Sequence, residues 1–388
     1  MSLTKFISLP FRYKIWKPLH IRLIANDFIN PKQAEHEHST HLNAAINWLC
    51  RAQDIREGKT DSGGVAAGWS FEDSWLPSYP ETSGYIVETF VAASPLLNKP
   101  ELLERANKIL DWELSIQNKD GSFPGHFGEA GSQPVIFNTG QIMHGLNCGY
   151  SELQRTECLE AAINAGKWLI AQQDADGCWR RSTHNGIIHT YNTRATWALL
   201  QTGLLAKNQE LIDAATKNLD WALGQQLDNG WFKNNAFTTD AEPFTHTIAY
   251  VIRGILESGL LLNNETYIAS AVKAANALAS LQKADGSLAG TYDQNWQTHA
   301  YYVCLTGLAQ TSIIWSRLTQ AKQVALQPNI DKALSFLKQK QRITNDSSVY
   351  DGAIAGSFPI WGRYSMFEYP NWAAKFFADA LIIDHINQ

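Results

Sequence analysis

Residues 171–179 read AQQDADGCW, and the same phrase returns as SIQNKDGSF (115–123), GQQLDNGWF (224–232) and SLQKADGSL (280–288). Each copy carries a glutamine, two residues, an Asp or Asn, a glycine, and an aromatic residue, Leu or a small polar residue beyond. Asp-Gly and Asn-Gly are turn signals, because glycine takes the positive φ that ends a helix at no steric cost. An amphipathic helix runs into each turn, as in LLERANKILDWELSIQ, and a second helix follows it, as in VIFNTGQIMHGLNCG. Gly121, Gly177, Gly230 and Gly286 are spaced 56, 53 and 56 residues apart. Gly68 (AAGWS) lies 53 residues before the first of these and Gly352 (YDGAI) 66 after the last, which makes six helical hairpins. Twelve helices in six hairpins predict an all-α (α/α)6 toroid, since closing the ring removes the exposed ends of an open array. Trp48, Trp112, Trp168 and Trp221 recur in the first helix of four units.

Two segments divide the chain. Residues 1–38 form an arm whose first 26 residues hold Lys5, Arg12, Lys14, Lys17 and Arg22 with no acid. Residues 39–388 form the toroid. Net charge is −5, so everything beyond the arm's start is acidic, with 27 basic against 37 acidic residues, which argues against nucleic-acid binding. The arm intersperses its cations with Phe6, Phe11, Trp16 and Ile21. It reads as a strap packed along the body, with a peripheral membrane contact as the alternative. The absence of a long apolar run and five cysteines without CxxC spacing point to a cytoplasmic protein with reduced thiols.

In such a ring the second helix of each unit is the inner one, with its N-terminus opening on a central funnel. The six starts read YPETSGY (79–85), FNTGQ (137–141), TYNTRATW (190–197), FTHTIAYVIR (244–253), WQTHAYY (296–302) and YPNWAAK (369–375). All are polar or aromatic where the outer helices are apolar. Helical spacing groups Glu81 with Tyr85 and Glu88, Asn138 with Gln141, Tyr191 with Arg194, His246 with Tyr250 and Arg253, His299 with Tyr302, and Asn371 with Lys375. Local explanations compete. Ser78 and Glu81 have the spacing of a capping box, and Arg253–Glu257 and Lys375–Asp379 that of i, i+4 ion pairs. GSFPIWGRY (356–364) reads as a rim loop that offers Trp361 and Arg363 to a ligand or seals unit six against unit one.

The glutamine-to-glycine turns resemble the repeat of squalene cyclases and protein prenyltransferase β subunits, over about residues 40–360. The architecture is similar to that of toroid polysaccharide lyases, uronate C5-epimerases and several glycosidases. The resemblance implies the toroid and leaves the activity open. The DxDD acid of squalene cyclisation and the DDxxD diphosphate motif are both missing. Asp176, Cys178 and His299 are of the types in the prenyltransferase zinc site, but Cys178 lies in a repeat turn, so no metal or other cofactor is expected.

The chemistry of the inner starts points to an acidic, uronate-containing glycan as substrate and to abstraction of the C5 proton, the first step shared by lyases and C5-epimerases. That step needs a cation or amide for the carboxylate, a base and an acid. Asn138, Gln141, Arg194, Arg253, Asn371, Lys375 and Arg363 are candidates for binding, with Tyr85, Tyr302 and Trp361. His246 or His299 serves as base and Tyr191 or Tyr250 as proton partner. Glu81 suits the alternative of glycoside hydrolysis, with Asp240 or Glu88 as second carboxylate. Further alternatives are isoprenoid chemistry and a non-catalytic binder of glycan or lipid-linked precursor.

Overall fold

The computed structural model describes residues 9–29, 31–128, 131–344, 346 and 348–387. Lys5 and Phe6 of the arm lie outside them. Helix α1 (Pro18–Ile29) belongs to the arm. Six outer helices follow as α2 (His38–Asp54), α4 (Glu101–Ile116), α6 (Thr156–Gln172), α8 (Gln209–Leu223), α10 (Glu265–Ser280) and α12 (Gln327–Lys338). They alternate with six inner ones: α3 (Pro80–Leu97), α5 (Ile136–Ser151), α7 (Thr193–Ala206), α9 (Thr245–Leu262), α11 (Leu305–Gln320) and α13 (Asn371–Asn387). Each inner helix packs on the next, and α13 returns to α3 and α2, so the hairpins close into the expected (α/α)6 toroid.

One side chain per unit explains why the repeat keeps its glutamine. Gln173 Nε2 donates to the carbonyl of its own turn glycine, Gly177 (3.1 Å), and to Ala214 of the next outer helix (2.9 Å). Gln117, Gln226 and Gln282 repeat both bonds onto Gly121 and Ala161, Gly230 and Ser270, and Gly286 and Asn329. Gln53 and Gln341 do the same for the first and last units, onto Gly63 and Arg105, and Gly352 and His41. The turn itself needs glycine at Gly286, for example, where φ is +89° and a Cβ would lie 2.1 Å from the Lys332 carbonyl oxygen.

Three local expectations are corrected. The first turn belongs to Gly63, not Gly68, which instead lies in a short strand opposite Pro370. Ser78 does not cap α3. Its amide and hydroxyl both bond to Asp61, and Tyr79 is the N-cap residue, without a side-chain capping bond. The fifth inner helix begins at Leu305, capped by the Cys304 sulfur, so 296–302 is irregular chain and His299 stands exposed on it.

Short strands tie the rim. β1 (Gly68–Ser70) lies between β2 (Ser74–Trp75) and β5 (Glu368–Pro370), all antiparallel, and β3 (Val303–Cys304) pairs with β4 (Ser357–Phe358). β5 runs directly into α13, so this sheet joins the loops of units one and six. The arm is fastened over the same seam. The His20 ring stacks on Phe71 at 4.0 Å, Asp27 pairs with Arg342 and accepts from the Ile360 amide (2.7 Å), and Phe28 stacks on Trp361 at 4.4 Å.

Candidate active site

The starts of the inner helices converge on a cavity of about 370 Å3. Its carboxylate is Glu81, in the first turn of α3. Tyr79, one residue before the helix, turns its hydroxyl back to donate to Glu81 Oε2 at 2.8 Å. Asn138 Nδ2, from α5, reaches the same hydroxyl at 3.4 Å. A carboxylate at a helix N-terminus is ordinarily favoured as the anion. Here burial prevails and raises Glu81 to about 7, against the opposing pull of the Tyr79 hydrogen bond and the Arg194 charge. Glu81 is therefore close to half protonated near neutrality. It is the only carboxylate lining the cavity among the described residues.

His246, in the first turn of α9, lines the same cavity. Its position depends on Gly307 of α11, where a Cβ would fall 2.5 Å from the His246 amide nitrogen. Its Nδ1 lies 2.8 Å from Gln310 Oε1. Since that oxygen only accepts, Nδ1 carries the proton and Nε2 keeps a lone pair. Burial lowers His246 to about 3, with Arg194 adding to the effect and Gln310 opposing it. Acid and imidazole are thus pushed in opposite senses, one towards the neutral acid and the other towards the neutral base.

Aromatic rings make the walls. Tyr250 packs on His246 (4.3 Å) and on Phe137 (5.0 Å), which meets Tyr191 at 5.2 Å, and Tyr364 closes on His246 at 4.9 Å. Phe237, Phe244, His184 and Trp372 complete the wall, with exposed Arg363 at its edge. Tyr85 is fully buried in the wall, its ring 5.4 Å from that of Phe376.

Beneath the rings lies Arg194. Its Nε donates to Gln141 Oε1 (2.8 Å), and its guanidinium sits 5.4 Å from the Tyr250 ring and 5.2 Å from Trp197. No carboxylate of the described residues pairs with it within 4 Å. It is a buried cation held by an amide and π-faces, and it puts a positive potential under the cavity floor. Arg194→Met is expected to move Glu81 and His246 upward together, because the cation disfavours the proton on both. The alkaline limb of a pH–rate profile should then shift to higher pH. An unmoved limb would dissociate Arg194 from the site.

Of the residues picked out in the sequence, Glu81, Tyr85, Asn138, Tyr191, His246 and Tyr250 from the helix starts and Arg363 from the rim loop line the cavity together. The others do not. Arg253 is bound to Glu257 at 2.6 Å, and Arg317 reaches the same carboxylate at 2.9 Å. Lys375 pairs with Asp379 and lies 5.0 Å over the Tyr85 ring. Asn371 donates to the Ala66 carbonyl and to Thr82, fixing the seam between units. Gln141 holds Arg194. Tyr302 and His299 face a neighbouring rim groove that also contains Asp240, Glu242 and Arg363. Trp361 is occupied by Phe28 of the arm. Glu88 is two turns below Glu81, about 10 Å along the helix, and opens to the opposite mouth beside Cys148 and Gln201. Neither carboxylate suggested as a partner for Glu81 therefore lines its cavity. Tyr79, Phe137, Tyr364 and Trp372 were not singled out. Tyr79 and Phe137 stand inside quoted helix starts, and that position was the signal for them. Among the described residues no group of three or more His, Cys, Asp or Glu side chains could hold a metal ion. No described helix is long and apolar enough to cross a membrane.

Fold and cavity together define an (α/α)6 toroid similar to the terpenoid cyclase type. Residues 77–256 match the family model described as the squalene-hopene cyclase C-terminal domain. No curated protein matches the sequence. Among solved structures, an unsaturated glucuronyl hydrolase specific for heparin superposes with a TM-score of 0.72 at 14% identity, over 90% of this chain and 97% of the other. The cellobiose 2-epimerase of Bacillus thermoamylovorans gives 0.69 at 14%, over 93% and 100%. A polysaccharide lyase gives 0.65 at 12%, over 90% and 98%. At such identities the likeness concerns the fold.

Proposed function

We propose that the protein is a carbohydrate-active enzyme that takes the end of an acidic glycan and transfers a proton at C5 of a uronate ring. The observation that carries this reading is the pairing, in one aromatic cavity, of a carboxyl raised to about 7 with an imidazole held neutral. In this reading His246 Nε2 removes H5, and Glu81 returns a proton to the opposite face or to the departing C4 oxygen. An incoming carboxylate would draw His246 upward from its low resting value and make it a better base. Arg363 and Asn138 would hold that carboxylate, with Arg194 adding its field from below. The rings of Phe137, Tyr191, Phe237 and Trp372 supply the stacking faces a sugar needs. A volume near the lower end of the usual range of about 300–1,000 Å3 suits one or two rings rather than a threaded chain. The names of the solved structures with this fold, a glucuronyl hydrolase, an epimerase and a lyase, support a sugar substrate.

One observation favours a second reading. Two-carboxylate glycoside hydrolysis needs a partner that Glu81 lacks in the cavity. A single acid is enough, however, to protonate the C4=C5 double bond of an unsaturated uronide, after which water adds at C5. Proton NMR in heavy water separates the two, using a panel of saturated uronate glycans and one unsaturated uronide. Loss of the H5 signal from a saturated glycan is the expected result. Intact H5 throughout, with disappearance of the olefinic signal of the unsaturated uronide, would replace the first reading by the second. No change in any spectrum would overturn both.

A further inference from the structure

The arm helix α1 is apolar on both faces, with Leu19, Leu23 and Ile24 packed on the body. Along α1 the side turned to the body carries His20, Leu23 and Asp27, all buried. His20 Nδ1 lies 2.9 Å from the Tyr13 carbonyl oxygen, and Asp27 is held by Arg342 and the Ile360 amide, so the polar groups of the helix are spent inward. The opposite side, spaced i, i+3, i+4 and i+7, carries Pro18, Ile21, Arg22, Phe28 and Ile29, all exposed. A helix whose outer face meets only water is polar there. Ile29 (82%), Phe11 (70%) and Phe28 (68%) are the three most exposed large apolar side chains of the described surface, and Trp16 and Ile21 are each more than half exposed. Phe11 and Trp16 pack edge to face at 5.6 Å, and Ile21, Phe28 and Ile29 share one side of α1.

Charge selects the occupant. Arg12, Lys17 and Arg22 are exposed around the patch and residues 9–26 contain no Asp or Glu, although Arg12 is paired with Glu72 at 2.6 Å and Arg22 also reaches Tyr350, which leaves Lys17, of these three, as the cation with neither an ion pair nor a ring contact among the described residues. A second copy of the chain docked face to face would bring like charges together. An anionic bilayer surface meets both features, with headgroups taking the cations and the acyl boundary taking Trp16, Ile21, Phe28 and Ile29. We infer that the arm is a docking surface for anionic membranes. The patch adjoins the mouth of the cavity. Phe28 sits on Trp361 and Tyr13 on Phe367, and Arg363, Tyr364 and Ser365, between those two contacts, line the cavity. If the sugar reading holds, on which this consequence alone rests, docking presents the site to glycans displayed at the lipid surface.

The test is co-sedimentation of the full chain with vesicles of phosphatidylcholine alone and of phosphatidylcholine with phosphatidylglycerol, at low and high salt. Binding to the anionic vesicles that weakens with salt is expected. The triple variant Trp16→Ser, Ile21→Ser, Phe28→Ser should lose about tenfold or more in affinity, and Lys17→Glu with Arg22→Glu should do the same without touching the apolar contacts. Absence of wild-type binding, or wild-type-like binding by both variants, would overturn the inference. So would a concentration-dependent dimer in sedimentation equilibrium that the triple variant makes monomeric, because the face would then belong to a second copy. Turnover of soluble glycans is measured separately, so a failure here leaves the sugar reading standing.

Discussion

Glu81→Gln is expected to lower kcat by about 10²–10⁴-fold, the usual worth of a positioned acid or base, while leaving the helical circular dichroism unchanged. The glutamine keeps the shape and can still accept from Tyr79, but it has no proton to give at any pH. Wild-type activity that needs protonated Glu81 should fall as pH rises through about 7, the value to which burial lifts this carboxyl. A variant that keeps full activity on every substrate the wild type converts would remove Glu81 from the chemistry.

The same substitution has a second signature. In the unfolded chain Glu81 returns towards its ordinary value of 4.5, and in the folded chain it stands near 7. A group whose folded pKa is raised contributes stability below its unfolded pKa and loses it as pH rises through the folded one. Burying Glu81 therefore becomes more costly between pH 4.5 and 7, reaching about 1–3 kcal/mol in the charged form. Glu81→Gln should escape this cost, so the variant should melt higher than wild type above pH 7 and similarly to it near pH 4. A residue that is only a helix-start carboxylate would behave oppositely, since removing its charge from a helix N-terminus would lower the melting temperature at high pH.

The toroid was readable because the elements that close each unit are local. A glutamine four residues before a glycine, clamping both its own turn and the next helix, recurs unchanged in units two to five. At the seam the pattern stretches. Gln53 precedes Gly63 by ten residues and Gln341 precedes Gly352 by eleven, and the longer turns carry groups of their own, such as the Arg56–Asp61 pair at 2.6 Å. The 53-residue spacing of the glycines pointed to Gly68 instead. The polar inner starts were equally legible, as the shared cavity of Glu81, Asn138, Tyr191, His246 and Tyr250 shows. Helical spacing gives the face of a side chain but not its depth. Arg253 and Lys375 follow the same spacing as the cavity residues, yet lie deeper, where their acids meet them. His299 had the right chemistry on chain that is not helical. Phe237 and Tyr364 come from loops, and no periodicity marks a loop residue whose place is set by what it packs against.

The largest loss of stability is expected at the seam. Gln341 is fully buried, donates to the carbonyls of His41 (3.1 Å) and Gly352 (2.9 Å), and accepts from His41 Nδ1 at 2.6 Å. Gln341→Ala would take a hydrogen-bond partner from three buried polar groups at once, and a cost of about 2–4 kcal/mol follows. Gln226 makes the corresponding contacts within the ring, to Gly230 and Ser270. Its neighbours there are also held by short chain connections, so Gln226→Ala should cost less. Units one and six have no such connection. They are about 300 residues apart along the chain, and only contacts across the seam repay the closure entropy. Acid should act at the same place. Burial holds His41 at about 4, so the folded chain resists a proton that the unfolded chain accepts near 6.5. This contribution is complete above pH 6.5 and is lost as pH falls towards 4. Hydrogen exchange at pH 5 should accordingly show α2 and α13 opening before α7 and α9. Equal costs for the two glutamine variants, with uniform exchange around the ring, would mean that closure is no weaker than any other joint.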